Sequence, residues 1–473
     1  MLANMIEDET AETSLSIHEQ QEKVLVGAPL EQKQIPQEDR LFLPYVDEAL
    51  NAFSKFSKEN PQRGEILRDV LHELFKAEIQ NMQVYTTKDG SASLPYTSIN
   101  VTEFAKQMYE RYGGTVPEAS KETQSSEPAK KKTVVFLTSF LATKSGHPFV
   151  FAELAMQQAV RALGPTIQAL QEGRTPKQVQ VVTLGSPTNN IWGSMSSEYA
   201  QRMKDDAFTT ISNTYAELLE SSELLANHTG SDAIVLHGTS MGGSFAARTA
   251  EKMLADGVAT QSQQDRMERD VPFLQVRMDS PAGVRREGHT WSRWKKLQIP
   301  LGFAGEVLKI AAVDRDTIRT ARGENKFLEG LQKETEKRGI PTIHDKEQEE
   351  RKKGAIKSLL HQLKNGVSLN PAIKVNLVTG LSDLLTRSRW DRLARRKVRL
   401  SEQMSEVKSQ LEHKKVGPPI GRNIIPSESP QRREFAVQSG HLTPFFKRES
   451  GNEMRTWARS IDRLITVNIP HHH

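Results

Sequence analysis

Residues 233–254 read AIVLHGTSMGGSFAARTAEKML, and this stretch decides the fold. The run AIVL is short and apolar, which is typical of a buried strand, and the part from SFAAR onward has a helical pattern. The turn between them contains Gly238-x-Ser240-x-Gly242. Glycines on both sides of a serine let a strand and a helix pass closely, while the turn pushes the hydroxyl into a cleft. We therefore predict Ser240 as a nucleophile, against the plainer alternative of an ordinary glycine-rich turn.

Short apolar runs of the same kind occur on both sides of this stretch and alternate with helical ones. The predicted strands are 133–137, 179–184, 233–236, 273–278, 373–378 and 434–437, and the predicted helices are 149–163, 196–226 and 243–254. Parallel strands need long crossover connections, which are usually helices. The alternation therefore predicts an α/β fold with a mostly parallel sheet flanked by helices.

From about residue 133 to the end, outside two insertions, the sequence resembles the α/β-hydrolase superfamily in its strand, Gly-x-Ser-x-Gly turn and helix. The resemblance implies a catalytic triad in the chain order Ser, acid, His. The implied acid is Asp383, in VNLVTGLSDLLT after the strand 373–378. The implied base is His441, in EFAVQSGHLTPF after the strand 434–437.

Two alternatives stay open for the acid. Asp279 also follows a predicted strand, 273–278, and a carboxylate past the carboxyl end of a parallel strand lies at the edge of the sheet where ligands bind. Asp383 also has the plainer interpretation of a turn or helix-capping aspartate.

The same resemblance implies an oxyanion hole made of two backbone N–H groups. One belongs to Met241, directly after the nucleophile, and the other to Phe140, in the loop after the strand 133–137. Where the family usually has a His-Gly pair, this chain has Thr138-Ser139. No glycine opens that loop, so we expect a narrower cleft.

Composition divides the chain into six parts. Residues 1–34 are predicted as a disordered N-terminal tail, 35–117 as a helical N-terminal region with a hairpin turn at Asp89-Gly90, and 118–132 as a polar linker. Residues 133–283 and 371–473 are predicted as the two parts of an α/β-hydrolase core, the second with a basic insertion near 387–431. Residues 284–370, charged and helical in pattern, are predicted as a cap over the cleft.

The composition also narrows the classes of function. The 473 residues include no cysteine, which excludes disulfides, a cysteine nucleophile and thiolate metal sites. The formal net charge of +5 is small for this length and does not indicate a nucleic-acid partner. The first residues are acidic, and no run of about 18 apolar residues occurs, so we expect neither a secretory signal nor a transmembrane segment. We therefore predict a cytoplasmic protein.

Two hypotheses of function follow. The first is a serine esterase or lipase that cleaves a small-molecule acyl ester or thioester without any cofactor; a peptidase or an acyltransferase would use the same residues. The second belongs to another class, a non-catalytic hydrolase-like scaffold that binds a protein partner.

Overall fold

The fold was determined from a computed structural model of the chain. It describes residues 61–116, 130–137, 159, 162–189, 191–221, 224–225, 227–279, 284–286, 332–333, 335–340, 342–343, 345–370, 372–380, 423–426, 432–437 and 461–464. All of them belong to one compact unit, Tyr45–His473; the other unit is Met1–Pro44.

The described part of the chain begins with a helix, a β-hairpin and a second helix. These elements are α1 (Pro61–Gln80), β1 (Gln83–Thr86), β2 (Ala92–Asn100) and α2 (Val101–Arg111). The hairpin predicted at Asp89-Gly90 is present, with Gly90 at a φ of 69° that favours glycine. Asn100 caps α2 by accepting a hydrogen bond from the backbone N–H of Glu103 at 3.1 Å.

Strands and helices then alternate along the rest of the chain. They are β3 (Lys131–Leu137), β4 (Gln178–Leu184), β5 (Ser194–Met195), α3 (Ser197–Ser221), β6 (Ala233–Thr239), α4 (Met241–Ala255), α5 (Gln263–Arg269), β7 (Phe273–Asp279), β8 (Val284–Arg286), α6 (Lys346–Asn365), β9 (Val367–Leu369), β10 (Val375–Gly380), β11 (Asn423–Pro426) and β12 (Arg432–Val437). Residues 162–171 and 461–464 are also helical.

Ten strands form one sheet, in the order β1-β2-β4-β3-β6-β7-β10-β12-β11, with β5 paired to β2. The six strands from β4 to β12 in this order are parallel to one another, and antiparallel pairing occurs only toward the two edges. All six strands predicted from the sequence lie in this parallel centre. The α/β fold class with a mostly parallel sheet is therefore confirmed.

The N-terminal hairpin is built into this sheet, because β2 pairs with β4 over residues Tyr96 to Asn100. Part of the region 35–117, which the sequence predicts as helical, is therefore strand in the same sheet as the predicted hydrolase core. The remaining boundaries between the predicted parts, including the tail 1–34 and the linker 118–132, fall largely outside the described residues.

One face of the sheet is covered by α3, α4 and α6. Side chains from the strands, such as Leu236 and Met278, form a single buried cluster with Phe208 of α3, Phe245 of α4 and Leu359 of α6. Burial of this kind contributes about 25 cal/mol per Å² of apolar surface. This cluster holds the helices on the sheet.

Helix α6 lies within the segment 284–370, which the sequence predicts as a cap. It packs in the helical layer beside α3, where α3 is kinked at Asp206. The kink leaves backbone groups of α3 without hydrogen-bond partners in the helix. The side chain of Gln362 in α6 accepts a hydrogen bond from the N–H of Ala207 at 2.8 Å and donates one to the carbonyl of Met203 at 3.3 Å. Residues 287–331 lie outside the described residues, so the predicted cap stays a prediction for them.

The described helices include none that is both long enough and apolar enough to cross a bilayer.

Lys352 lies on the buried side of α6, with 2% of its surface exposed. Burial disfavours the charged ammonium and lowers its pKa from 10.5 to about 8, while the Glu349 carboxylate opposes this shift. Between these two pKa values the unfolded chain holds the proton more tightly than the folded chain does. The buried charge therefore destabilises the fold below about pH 8, and stability rises as the pH increases from there toward 10.5.

Replacing Lys352 with Met is expected to raise the free energy of unfolding at pH 7 by about 1–3 kcal/mol, because the apolar chain has no charge to desolvate. The variant should also lose the gain in stability between about pH 8 and pH 10. Urea unfolding of both proteins at these pH values measures the two effects. The control is Lys353→Met, at a neighbour whose side chain is 59% exposed. This variant should change neither the free energy of unfolding at pH 7 nor its rise between about pH 8 and pH 10. A less stable Lys352→Met protein at pH 7 would show that the charge is well accommodated.

Candidate active site

Ser240 forms the turn between β6 and α4, and its backbone is strained. Its φ is 55° and its ψ is −122°, a combination that L-residues rarely adopt. Among the described residues, the other non-glycine residue with positive φ is Asp270, whose angles are those of the ordinary left-handed region. A strained residue of this kind costs about 1–3 kcal/mol and is typical of functional sites. The sharp turn predicted from the sequence is therefore present.

Gly238 makes this turn possible. A Cβ atom at this position would lie 1.9 Å from the carbonyl oxygen of Gly242 and 2.5 Å from the nitrogen of Gly243. These are backbone atoms of the helix that follows, so they cannot rotate away as a flexible side chain would. The close crossing of strand and helix therefore requires glycine at this position.

The amino end of α4 lies directly behind the serine. The helix begins at Met241, and the first N–H groups of a helix have no partners within it. Serine at this position usually caps the helix with its side chain, but Ser240 makes no such capping hydrogen bond. The helix N-terminus therefore presents N–H donors and a partial positive charge beside the hydroxyl, which suits a developing oxyanion.

The carboxyl ends of four parallel strands lie at the edge where Ser240 lies, and β10 and β12 extend two residues farther than β6 and β7. Thr239 of β6 is opposite Asp279 of β7, Asp279 is opposite Val378 of β10, and Val378 is opposite Phe435 of β12. In open α/β sheets, ligands bind at this edge. The three stretches predicted to carry the triad therefore leave the sheet at one edge.

Asp383 and His441 lie outside the described residues. The described strands that precede them show where the chain leaves the sheet. Asp383 comes three residues after β10 ends at Gly380, and His441 comes four residues after β12 ends at Val437. Since neighbouring strands are about 4.8 Å apart, β12 is roughly 14 Å from β6. Four extended residues span about 14 Å, so the chain is long enough to bring an imidazole to Ser240.

The other predicted site residues lie at or near the ends of neighbouring elements. Asp279 is the last residue of β7, one strand away from the nucleophile's strand. Phe140 lies outside the described residues, three residues after the end of β3, where Leu137 is opposite Gly238. Met241 is fully buried at the start of α4. His237, three residues before the nucleophile, is buried with its ring 4.8 Å from that of Phe136.

A buried polar loop after β4 was not predicted from the sequence. Its Asn189 side chain accepts hydrogen bonds from the N–H groups of Ile191 and Trp192, both at 3.0 Å. The loop also contacts the segment 284–370: the indole of Trp192 donates to Thr335 at 3.3 Å, and the N–H of Ile343 donates to the carbonyl of Ile191 at 2.8 Å. A lone tryptophan in the turn-rich run GSPTNNIWG was the available signal, but its partner is far away in the chain.

No family model and no curated protein matches the sequence. Several solved structures are similar to it, including the deformylase Nfo of Pseudomonas putida S16 at 11% identity, over 77% of this chain and 96% of that chain, with a TM-score of 0.30. Another is the peroxisomal alpha-beta-hydrolase Lpx1 of Saccharomyces cerevisiae, at 10% identity over 80% and 85% of the two chains, with a TM-score of 0.32. A third is the RedJ thioesterase of Streptomyces coelicolor, at 13% identity over 59% and 78%, with a TM-score of 0.28.

The fold of this chain is of the α/β-hydrolase type. The parallel centre of the sheet and the strand–turn–helix elbow at Ser240 define it.

Replacing Gly238 with Ala is expected to destabilise the protein by more than about 3 kcal/mol or to prevent folding, because the new methyl group meets helix backbone. Thermal unfolding and soluble yield measure this effect. The matched control is Gly354→Ala in α6, where a new Cβ has nothing within 4 Å, and where alanine should be neutral or stabilise the helix by up to about 1 kcal/mol. Equal stability of the two variants would contradict the close crossing at the elbow.

Proposed function

We propose that this protein is a serine hydrolase that cleaves a small-molecule acyl ester or thioester through an acyl-enzyme intermediate. The observation that carries the proposal is the strained Ser240 at the head of α4, on the ligand-binding edge of the sheet. A protein that needed only a turn at this position would adopt one without strain. The strain therefore supports a role in which the Ser240 hydroxyl must be held in a defined position.

The proposed reaction begins when the Ser240 Oγ attacks the substrate carbonyl carbon and His441 takes the hydroxyl proton. Asp383 orients the imidazole and stabilises its charged form. The tetrahedral oxyanion accepts hydrogen bonds from the N–H groups of Met241 and Phe140. Collapse of this intermediate releases the alcohol or thiol, which receives the proton from His441.

The second half of the reaction repeats these steps with water. His441 takes a proton from the water molecule, whose oxygen attacks the acyl carbon and forms a second oxyanion in the same site. Collapse of that intermediate releases the carboxylic acid and returns the proton to Ser240. Esters and thioesters both fit, since each presents a carbonyl next to a leaving group, and no metal or organic cofactor takes part.

Replacing Ser240 with Ala is expected to abolish labelling by a fluorophosphonate probe and to lower ester hydrolysis by at least roughly a thousandfold, because no other group can form the acyl-enzyme. Gel fluorescence and a panel of p-nitrophenyl esters and acyl thioesters measure the two effects. Alanine keeps the Cβ atom, so the fold should persist, and circular dichroism checks this.

The control for this experiment is Ser358→Ala, at a serine of α6 whose hydroxyl donates to the carbonyl of Gly354 at 3.2 Å. This variant should be labelled as strongly as the wild type. If folded wild-type protein is neither labelled nor active on any substrate of the panel, the scaffold hypothesis replaces the enzyme.

The choice between the two candidate acids has its own test. Replacing Asp383 with Asn is expected to lower kcat by about 10⁴-fold, because the amide favours the wrong tautomer of the imidazole. Replacing Asp279 with Asn, one strand closer to the nucleophile, should change kcat by less than about tenfold. Steady-state kinetics on the best ester measures both, and the reverse pattern would assign the role to Asp279.

A further inference from the structure

Helix α3 is interrupted at Asp206, whose backbone is not helical, with a φ of −147° and a ψ of 91°. The residues after it begin a new helical stretch, which Asp206 caps. Its carboxylate accepts hydrogen bonds from the N–H of Thr209 at 3.0 Å and from the Thr209 hydroxyl at 2.7 Å. The second half of α3, residues 207–221, therefore has an N-terminus of its own within the longer helix.

Gln362 of α6 bridges the two halves of α3 at this interruption. Its Oε1 accepts a hydrogen bond from the N–H of Ala207, the first residue of the second half, at 2.8 Å. Its Nε2 donates to the carbonyls of Met203 and Lys204, at the end of the first half, at 3.3 and 3.4 Å. Ala207 and Met203 are completely buried, so water cannot readily replace the glutamine there. A single side chain therefore links the positions of the two halves.

The second half of α3 carries the side chains that hold α4. Phe208, Ser212 and Tyr215 recur at helical spacing on one face. The rings of Phe208 and Tyr215 lie 5.0 Å and 5.8 Å from that of Phe245 in α4. The Ser212 hydroxyl donates to the Phe245 carbonyl at 3.4 Å. Because Phe208 directly follows Ala207, its position depends closely on the geometry of the kink.

Phe245 lies on the helix that begins at the nucleophile. Helix α4 starts at Met241, directly after Ser240, and Phe245 follows its first turn. Ser240 is strained, and a strained residue keeps its conformation only while the surrounding structure holds it there. The observed contacts therefore run without a gap from Gln362, through the second half of α3, to the first turn of α4.

We propose that Gln362 is a positioning residue for the proposed nucleophile Ser240. It holds the kink of α3, the kink places Phe208 against Phe245, and this contact keeps the amino end of α4 beside the Ser240 hydroxyl. This inference rests on the proposed function. A misplacement of about 1 Å in a reacting group costs up to about a hundredfold in rate. Gln362 acts through intervening contacts, so its loss should cost less.

The test uses the full chain with Gln362→Met, Phe208→Leu and the double variant. Each single variant is expected to lower kcat and the rate of fluorophosphonate labelling by roughly 3- to 10-fold, well below its unfolding temperature. KM should change little, because the nucleophile moves and the substrate-binding surface does not. If the two residues act in series, the double variant loses little more than the more impaired single variant. Losses that multiply would show that they act separately and would contradict the proposal.

Hydrogen exchange gives a second measurement, which does not depend on turnover. The N–H of Gly243 donates to the carbonyl of Ser240 at 3.1 Å and so reports the turn directly. Its exchange should be faster in both single variants than in the wild type, because the amino end of α4 opens more often when its contact with α3 is weakened.

The matched control is Gln348→Met, in the same helix. Gln348 also accepts a hydrogen bond from a buried backbone N–H, that of Met195 at 3.0 Å, but in β5 rather than in α3. The control should lower the unfolding temperature by a similar amount and leave kcat, labelling and the exchange of Gly243 unchanged. If the wild type is active but Gln362→Met matches Gln348→Met in these three measurements, the positioning role is wrong and the proposed function stands. A wild type without labelling or turnover defeats the proposed function, and the positioning role with it.

Discussion

The close crossing of β6 and α4 at Gly238 is the constraint on which the rest of the site depends. No side chain fits between the strand and the helix, so the chain turns sharply and Ser240 takes an unfavourable backbone conformation. The strain persists only because the helix is held elsewhere. Phe245 of α4 contributes to the packing of the helix: its ring lies 5.0 Å from that of Phe208 and edge-to-face with that of Tyr215 at 5.8 Å. Packing between α3 and α4 therefore stabilises the elbow from a distance.

The sequence predicted the parallel centre of the sheet and the elbow because both have strong local signals. Buried parallel strands are continuous apolar runs, and Gly-x-Ser-x-Gly between a strand and a helix is a pattern of short range. The two-residue β5, the three-residue strands β8 and β9 and the edge strand β11 escaped prediction. They are short, and β11 lies in a segment rich in Pro and Gly, so their pairing depends on partners far away in the sequence.

The placement of α6 shows a different limit of sequence analysis. The helix is highly charged, and its core contact is the narrow row Ala355, Leu359 and Leu363 at intervals of four residues. Such a row indicates a helix with one buried stripe but not which surface it covers. The kink of α3 selects that surface, since Gln362 satisfies the backbone groups freed there. Similarly, the strand order brings the ends of the strands before the candidate triad residues to one edge. The reach across the sheet depends on loops that have no periodic pattern.

The register at the carboxyl edge gives the two candidate acids different starting points. Asp279 is fixed by the ladder at the end of β7, directly opposite Thr239, so its backbone has little freedom to adjust to an imidazole. Asp383 comes three residues after the end of β10, the strand between β7 and β12. The strand order places β7 and β10 between the nucleophile's strand β6 and the strand β12 that precedes the proposed base. The strand that precedes the proposed acid Asp383 is thus the neighbour of the strand that precedes the proposed base His441, whereas Asp279 ends the strand next to the nucleophile.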